Sequence, residues 1–107
     1  MPEKKIRGGS LIARALRDKG IENVFTLSGG FCNPALEGLM ECQIDVINCP
    51  HEQIAGHLAD GHTRITRKPT VCLVGPEGFA NAIPSMREAW GERTPIIYIT
   101  GSSSLKR

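Results

Sequence analysis

The stretch TVCLVGPEGFANAIPSMREAWGERTPIIYIT, residues 70–100, predicts a strand, a helix and a second strand. Residues 70–74 and 95–100 are short apolar runs rich in β-branched side chains, and residues 78–90 between them carry helical spacing. Pro84 would kink that helix or mark its true first turn. Two apolar runs joined by a helix are typical of a βαβ unit, whose strands are parallel.

The same alternation continues toward the N-terminus, with turn residues between the segments and no repeat. The predicted helices begin near residues 10, 33, 51 and 78, and the predicted strands cover 23–27, 44–48, 70–74 and 95–100. About four helices and four strands indicate an α/β fold. The expected architecture is a three-layer, mostly parallel, doubly wound sheet of the flavodoxin or Rossmann kind.

Helix ends and faces also follow from residue type. Ser10 is a good N-cap for the first helix, and Gly20 suits the left-handed position after its end. Asn33 would cap the second helix, with Pro34 at its first position. The third helix would run to about Ile65 and place these apolar residues near one face: Ile54, Ala55, Leu58, Ala59 and Ile65.

Length and composition limit the classes of function. A chain of 107 residues is about one domain, and 40% apolar with 22% charged residues is globular composition. The formal charge of +2 is too small to predict nucleic acid as the main partner.

Cysteine usage indicates the inside of a cell. Four cysteines, at 32, 42, 49 and 72, lack C-x-x-C spacing and lie in or beside apolar segments, so we expect buried free thiols rather than disulfides. The N-terminus is polar, and no segment approaches the roughly 20 apolar residues that span a bilayer. The prediction is a soluble, cytoplasmic protein that does not use a membrane.

Ligands of such sheets bind outside the carboxyl ends of the strands, so the loops at 28–31, 49–52 and 75–78 are the candidate binding segments. Their glycines would let the backbone approach a flat ligand, although glycine also serves ordinary turns. The sequence lacks the nucleotide-binding motifs G-x-G-x-x-G and the P-loop, and it lacks the acyl-hydrolase motif G-x-S-x-G. Ala55 stands where a zinc-protease helix needs its second histidine. No metal site is predicted within the chain.

A longer string carries a specific resemblance. HEQIAGHLADGHTRITRKPTVCLVGPEGFANAIPSMREAWGERTPIIYITG, residues 51–101, resembles the pyrimidine-binding domain of thiamine-diphosphate-dependent enzymes of the acetolactate synthase kind. LIARALRDKGIENVFTLSGGFCNPALEGL, residues 11–39, is similar to the family's opening helix, strand and Gly-Gly turn. The match covers about residues 9–104, and the final ITGSSS is similar to the oxalyl-CoA decarboxylase and 2-hydroxyacyl-CoA lyase branch.

The resemblance implies that Glu52 is catalytic. In the family the matching glutamate hydrogen-bonds a ring nitrogen of the cofactor's aminopyrimidine and favours the imino tautomer, whose nitrogen removes the thiazolium proton. A carboxyl group buried against a ring at a helix start suits this role, because desolvation favours its neutral form while the helix dipole favours the anion. The alternative is that Glu52 merely stabilises the helix N-terminus.

Other roles carry over from the same resemblance. It implies that the cofactor contacts are Gly29, Gly30, Glu52, Val74 and Asn81, and that the substrate side includes Phe31 and Gln53. A plain turn, a helix-start cap and a solvent-facing glutamine are the alternatives for Gly29–Gly30, Asn81 and Gln53.

Two departures from the family pattern affect the expected chemistry. Val74 stands where threonine often contacts the pyrimidine, and residues 76–78, PEG, stand where Gly-Pro-Gly is usual. The added carboxylate of Glu77 could repel Glu52 or serve another substrate, which puts standard acetolactate chemistry in doubt.

The family's Gly-Asp-Gly…Asn motif, which binds magnesium and the diphosphate, has no counterpart here. The resemblance therefore implies Mg²⁺ held by a diphosphate-binding partner domain or subunit, in a homo- or hetero-oligomer. We expect a single truncated pyrimidine-binding domain over residues 1–107, catalytically inert alone, with its fourth strand at a bare sheet edge. The alternative from another class is a noncatalytic α/β binding or oligomerisation module.

Overall fold

A computed structural model describes residues 5–27 and 32–102, and within them four helices alternate with four strands. The predicted α/β class is confirmed, and the predicted bounds of β1 and β3 match the observed ones. In chain order the elements are α1 (Gly8–Asp18), β1 (Asn23–Leu27), α2 (Asn33–Glu41), β2 (Asp45–Asn48), α3 (Glu52–Thr66), β3 (Thr70–Val74), α4 (Phe79–Gly91) and β4 (Ile96–Thr100).

The strands form one parallel sheet in the order β2-β1-β3-β4. From β1 the chain moves outward to β2, then returns to the other side of β1 and continues from β3 to β4. The strand order therefore reverses between β1 and β3. This is the doubly wound topology that the alternating pattern predicts, and β4 lies at an edge of the described sheet, as expected.

Two apolar clusters lie on opposite faces of the sheet. Along β3, Val71 and Leu73 join the cluster with α1 and α2, whereas Cys72 and Val74 join the cluster with α3 and α4. This alternation follows from the two-residue period of a strand. Every residue of β3 is buried because helices cover both faces of a parallel sheet.

Both predicted N-caps are wrong. Helix α1 begins at Gly8 with Arg7 as N-cap, so Ser10 lies inside the first turn, where it is buried and donates a 3.2 Å hydrogen bond to Glu41 Oε2 of α2. Asn33 is the first residue of α2 rather than its cap. Gly20 follows α1 with φ of +83°, as expected for a left-handed position.

Helices α1 and α2 cross at two glycines. A Cβ on Gly9 would lie 2.7 Å from the backbone nitrogen of Ala35, and a Cβ on Gly38 would lie 2.5 Å from the carbonyl oxygen of Gly9. The same kind of contact joins α3 to α4, where a Cβ on Gly56 would lie 2.5 Å from Ser85 Cβ. Small residues therefore let both helix pairs approach closely.

The predicted apolar face of α3 is wrong in part. Ala55 and Ala59 are buried, but Ile54 and Leu58 are exposed and Ile65 is 85% exposed. The buried face of α3 consists of small and polar residues because the helix lies close to the sheet and to α4. Its members are Glu52, Ala55, Gly56, Ala59, Asp60 and Thr63.

Helix α4 contains Pro84 in its interior, on the exposed side, more than a turn after its start. The four cysteines are free, and Cys32, Cys49 and Cys72 are buried while Cys42 is half-buried, as the spacing predicts. Within residues 5–27 and 32–102, no helix has the length and apolar content needed to cross a bilayer.

Candidate functional site

The carboxyl ends of the parallel strands share one edge of the sheet, and the strand order reverses there between β1 and β3. In doubly wound sheets a ligand crevice opens at this reversal. The loop after β1, residues 28–31, contains the predicted contacts Gly29, Gly30 and Phe31, and these lie outside the described residues. The loops after β2 and β3 are described and carry the site.

Glu52 is the first residue of α3, and only 9% of it is exposed. The preceding residue, His51, is extended and caps the helix, because its Nδ1 accepts a 3.0 Å hydrogen bond from the backbone N–H of Gln53. This cap fixes where the helix begins. The helix dipole favours a carboxylate at that position.

Asn81, the third residue of α4, reaches the same point from the other loop. Its Nδ2 donates a 3.1 Å hydrogen bond to Glu52 Oε1, although the two residues are 29 positions apart. Helix α4 has Gly78 as its N-cap, so Asn81 is not the cap. Two predicted site residues thus meet across β1, which lies between β2 and β3 in the sheet.

Gly78 completes this arrangement, and it was not among the predicted site residues. A Cβ on Gly78 would lie 2.5 Å from Glu52 Cδ and 2.7 Å from Glu52 Cγ, with Oε2 nearer still. The Glu52 carboxyl group therefore lies directly against the backbone of the loop after β3. The sequence signal was its place in the candidate binding segment 75–78, whose glycines would let the backbone approach a ligand.

The core next to Glu52 is apolar. Val74 ends β3 with its side chain fully buried in the cluster beneath α3 and α4. Burial raises the pKa of the Cys72 thiol to about 12, and the proximity of Cys49 and then of Glu52 adds to the rise. Burial also raises the pKa of the Cys49 thiol, so both thiols stay protonated near neutral pH.

The structure joins Gln53 to a different neighbour. Its Nε2 lies 3.4 Å from His57 Nε2, one turn further along α3, and the residue is half-buried. Glu77 is exposed in the loop before Gly78. The substrate-side role of Gln53 and the effect of Glu77 stay predictions.

The geometry defines the chemistry that this site can perform. A largely buried carboxylate, held at one oxygen by an amide, can accept a hydrogen bond from a ring nitrogen or exchange a proton with it. Among the described residues, His, Cys, Asp and Glu form no group that could hold a metal ion.

Residues 6–107 match the family described as thiamine pyrophosphate enzyme, N-terminal TPP binding domain. The chain belongs to this family. Thiamine pyrophosphate is the same compound as thiamine diphosphate, so the resemblance inferred from residues 51–101 is confirmed.

Curated proteins similar to this N-terminal TPP binding domain are much longer. The chain is 36% identical over 107 residues to a probable acetolactate synthase of Mycobacterium bovis, covering 99% of the chain and 20% of that protein. It is 34% identical over 101 residues to the acetolactate synthase isozyme 2 large subunit of Escherichia coli, covering 92% and 18%. A probable 2-ketoarginine decarboxylase of Pseudomonas aeruginosa is 33% identical over 101 residues, with the same two coverages. The chain thus spans about one-fifth of each relative.

A solved structure has the same fold. The crystal structure of benzoylformate decarboxylase from Polynucleobacter necessarius superimposes with a TM-score of 0.79 at 21% identity, over 94% of this chain and 19% of that one. At this identity the likeness concerns the fold alone.

Proposed function

We propose that this N-terminal TPP binding domain holds the pyrimidine half of thiamine diphosphate, and that Glu52 is the catalytic residue that activates the cofactor. The observation that carries the proposal is the buried Glu52 carboxylate, fixed by Asn81 at the edge of the sheet where the strand order reverses. Family membership supplies the identity of the ligand.

The residues of the chain would divide the work. Thiamine diphosphate supplies carbanion chemistry at its thiazolium ring when it is bound. Glu52 would hydrogen-bond a pyrimidine nitrogen and exchange a proton with it, while the backbone at Gly29 and Gly30 would approach the ring. Val74, which is fully buried, would support that ring from the strand end, and Phe31 and Gln53 would face the substrate.

The proposed reaction is a 2-oxoacid decarboxylation or carboligation, or a related acyl-CoA cleavage, so the enzyme would be a lyase or a transferase. The names of the relatives, acetolactate synthases and a 2-ketoarginine decarboxylase, support this class. Free cysteines in the buried core are typical of a reducing compartment, which supports a cytoplasmic enzyme.

A partner would hold the other half of the cofactor. We propose that Mg²⁺ and the diphosphate bind to a further domain or subunit, and that the chain alone is inert. The relatives are about five times longer than this chain, which leaves room for such a domain. An apolar groove of about 600 Å³, lined in part by Phe79, Ile83 and Trp90 of α4, supports assembly into an oligomer.

Calorimetric titration of thiamine diphosphate with Mg²⁺ tests this function, in the chain alone and with a diphosphate-binding partner. We expect binding only with the partner. No binding with a partner shown to be folded and associated would favour a noncatalytic α/β module instead.

Glu52→Gln in the active assembly tests the catalytic assignment. Because proton transfer by a positioned side chain contributes about 10²–10⁴-fold, we expect a loss of that order in kcat. Glu22→Gln is the matched control, since Glu22 precedes β1 at the amino end of that strand and its side chain forms an exposed pair with Lys68. Full activity in Glu52→Gln would remove Glu52 from the mechanism.

A further inference from the structure

The glycine at position 78 is not required by the backbone. Its φ and ψ are −89° and −6°, a conformation that any residue can adopt. Gly20, by contrast, has φ of +83°, where a side chain would be strained. Some other feature of the structure must therefore account for the glycine at 78.

That feature is the Glu52 side chain. A methyl group on Gly78 would overlap Glu52 Oε2 and lie 2.5 Å from its Cδ, which is closer than real Cβ contacts come. The missing side chain at 78 leaves the space that the carboxyl group fills. The backbone of the loop after β3 therefore limits how far the Glu52 side chain can move in that direction.

Asn81 holds the other carboxyl oxygen. Its side-chain amide donates to Glu52 Oε1 at 3.1 Å, and its backbone N–H donates to the carbonyl of Gly78 at 3.0 Å. Asn81, which donates to Glu52, and Gly78, which contacts it, therefore lie in one turn of the chain. The Asn81 amide nitrogen can only donate, so Glu52 Oε1 is the acceptor in this contact.

We infer that Gly78 and Asn81 are positioning residues that hold the Glu52 carboxylate in one orientation. The inference rests on the proposed function, because it concerns the residue assigned there to the pyrimidine. A glutamate side chain loses considerable rotamer freedom when it is fixed, and the space at Gly78 together with the Asn81 hydrogen bond restricts it before any ligand arrives. Asn81 thus acts through Glu52 rather than through the cofactor directly.

Asn81→Asp tests the donor, in the active assembly with its diphosphate-binding partner. The substitution keeps size and shape but replaces the donor with a carboxylate beside Glu52, so a merely structural role would tolerate it. Two quantities are measured: the Kd of thiamine diphosphate with Mg²⁺ by calorimetry, and the rate of solvent deuterium exchange at the thiazolium ring of the saturated assembly. Because hydrogen bonds to charged groups are the strong ones, we expect the exchange rate to fall by about 10- to 100-fold and the Kd to change less.

A double-mutant cycle shows whether the effect passes through Glu52. In a Glu52→Gln background, Asn81→Asp should lower the exchange rate by no more than about twofold further, because the group it positions is already lost. Ala80→Ser, an exposed site between the two positioning residues, is the control and should change neither quantity. Asn81→Ala is the second variant; Asn81 is itself exposed, so folding should survive it.

Gly78→Ala tests the steric contact between residue 78 and the Glu52 side chain, and its measurement needs no cofactor. We expect Gly78→Ala to shift the thermal unfolding temperature less favourably in the wild type than in a Glu52→Ala background, because Glu52→Ala removes the overlapped atoms. An equal shift from Gly78→Ala in both backgrounds would show that Glu52 is not the steric partner, which would overturn this half of the inference.

The failures of the two proposals are distinguishable. If Glu52→Gln keeps the full exchange rate, the proposed function fails, and the positioning inference fails with it. If Glu52→Gln loses the exchange but Asn81→Asp and Asn81→Ala keep it, only the positioning inference is overturned. A weaker Kd in Asn81→Asp with an unchanged exchange rate in the saturated assembly would make Asn81 a direct ligand, which also overturns it.

Discussion

Helices α3 and α4 pack closely where Gly56 faces Ser85, and adding one methyl group there should destabilise the fold. A Cβ on Gly56 would overlap Ser85 Oγ, lie 2.5 Å from Ser85 Cβ and lie 3.1 Å from the Tyr98 hydroxyl. Ser85 is fully buried and cannot turn away freely. Its hydroxyl donates to the carbonyl of Ala82 at 2.6 Å and lies 3.0 Å from the Tyr98 hydroxyl.

Three effects set the expected change in the free energy of unfolding of Gly56→Ala. Overpacking a well-packed core costs about 1–3 kcal/mol, and leaving a buried polar group unpaired costs about 1–3 kcal/mol. Replacing glycine by alanine in a helix interior stabilises by about 1 kcal/mol. The unfavourable effects outweigh the favourable one, so Gly56→Ala should lower the free energy of unfolding by about 1–5 kcal/mol.

The same helix provides a matched control. Gly61 has no atom within 4 Å of its added Cβ, so Gly61→Ala should raise the free energy of unfolding by about 0.5–1 kcal/mol. Urea unfolding measures both variants. With m of about 1–3 kcal/mol/M, a loss of about 3 kcal/mol lowers the midpoint by about 1–3 M.

A second substitution isolates the contact. Ser85→Gly removes the overlapped atoms, so Gly56→Ala should cost at least about 1 kcal/mol less in that background than in the wild type. If Gly56→Ala and Gly61→Ala shift the midpoint in the same direction, the close approach of α3 and α4 does not limit the residue at 56, and the reasoning is refuted.

Two further predictions concern the other helix pair and the buried thiols. Gly9→Ala should lower the free energy of unfolding by about 1–3 kcal/mol or more, because its Cβ would meet the backbone of α2 at Ala35. Gly8→Ala is the control, since its Cβ would have no atom within 4 Å, and it should not destabilise the protein. Equal urea midpoints for the two variants would contradict a close crossing of α1 and α2 at Gly9. Burial raises the pKa of Cys72 from 9.0 to about 12, so the folded protein holds the thiol proton more tightly than the unfolded chain does. This contribution to stability is present below pH 9 and is lost as the pH rises toward 12. Between those limits the free energy of unfolding should fall by up to about 1.4 kcal/mol per pH unit more steeply in the wild type than in Cys72→Ala, and parallel pH curves would rule Cys72 out as a source of the slope.

Helix ends show where local sequence stops being informative. Gly20 could be recognised because glycine adopts positive φ without strain. The ends of α2, α3 and α4 instead use Gln43, Arg67 and Arg93, with φ of 59°, 63° and 57°. Residues of these types carry no local signal for a left-handed conformation, and their backbone is set by the turn that follows each helix.

Apolar spacing alone did not identify the buried face of α3. It grouped Ile54, Leu58 and Ile65 with two alanines near one face, but all three large residues are exposed. The inner face must fit between the sheet and α4, where only small residues allow the approach seen at Gly56. A helical period identifies a face, but the space available decides which face is buried.

In the candidate site, the sequence predicted individual residues but not the contacts between them. Resemblance to known thiamine-diphosphate enzymes singled out Glu52 and Asn81 separately. The hydrogen bond between them joins residues 29 positions apart, and it depends on the parallel pairing that brings the loops after β2 and β3 to one edge. The role of Gly78 depends on the same pairing.

The sequence by itself determined the alternation of helices and strands, the bounds of β1 and β3, the doubly wound class and the family, because periodicity, turn residues and a long motif are properties of neighbouring positions. Only the tertiary structure decided which face of α3 is buried, where α1 and α2 cross, and how Asn81 and Gly78 hold the Glu52 carboxylate. The physical reason is that these features depend on close packing and on donor–acceptor distances between segments far apart in the chain.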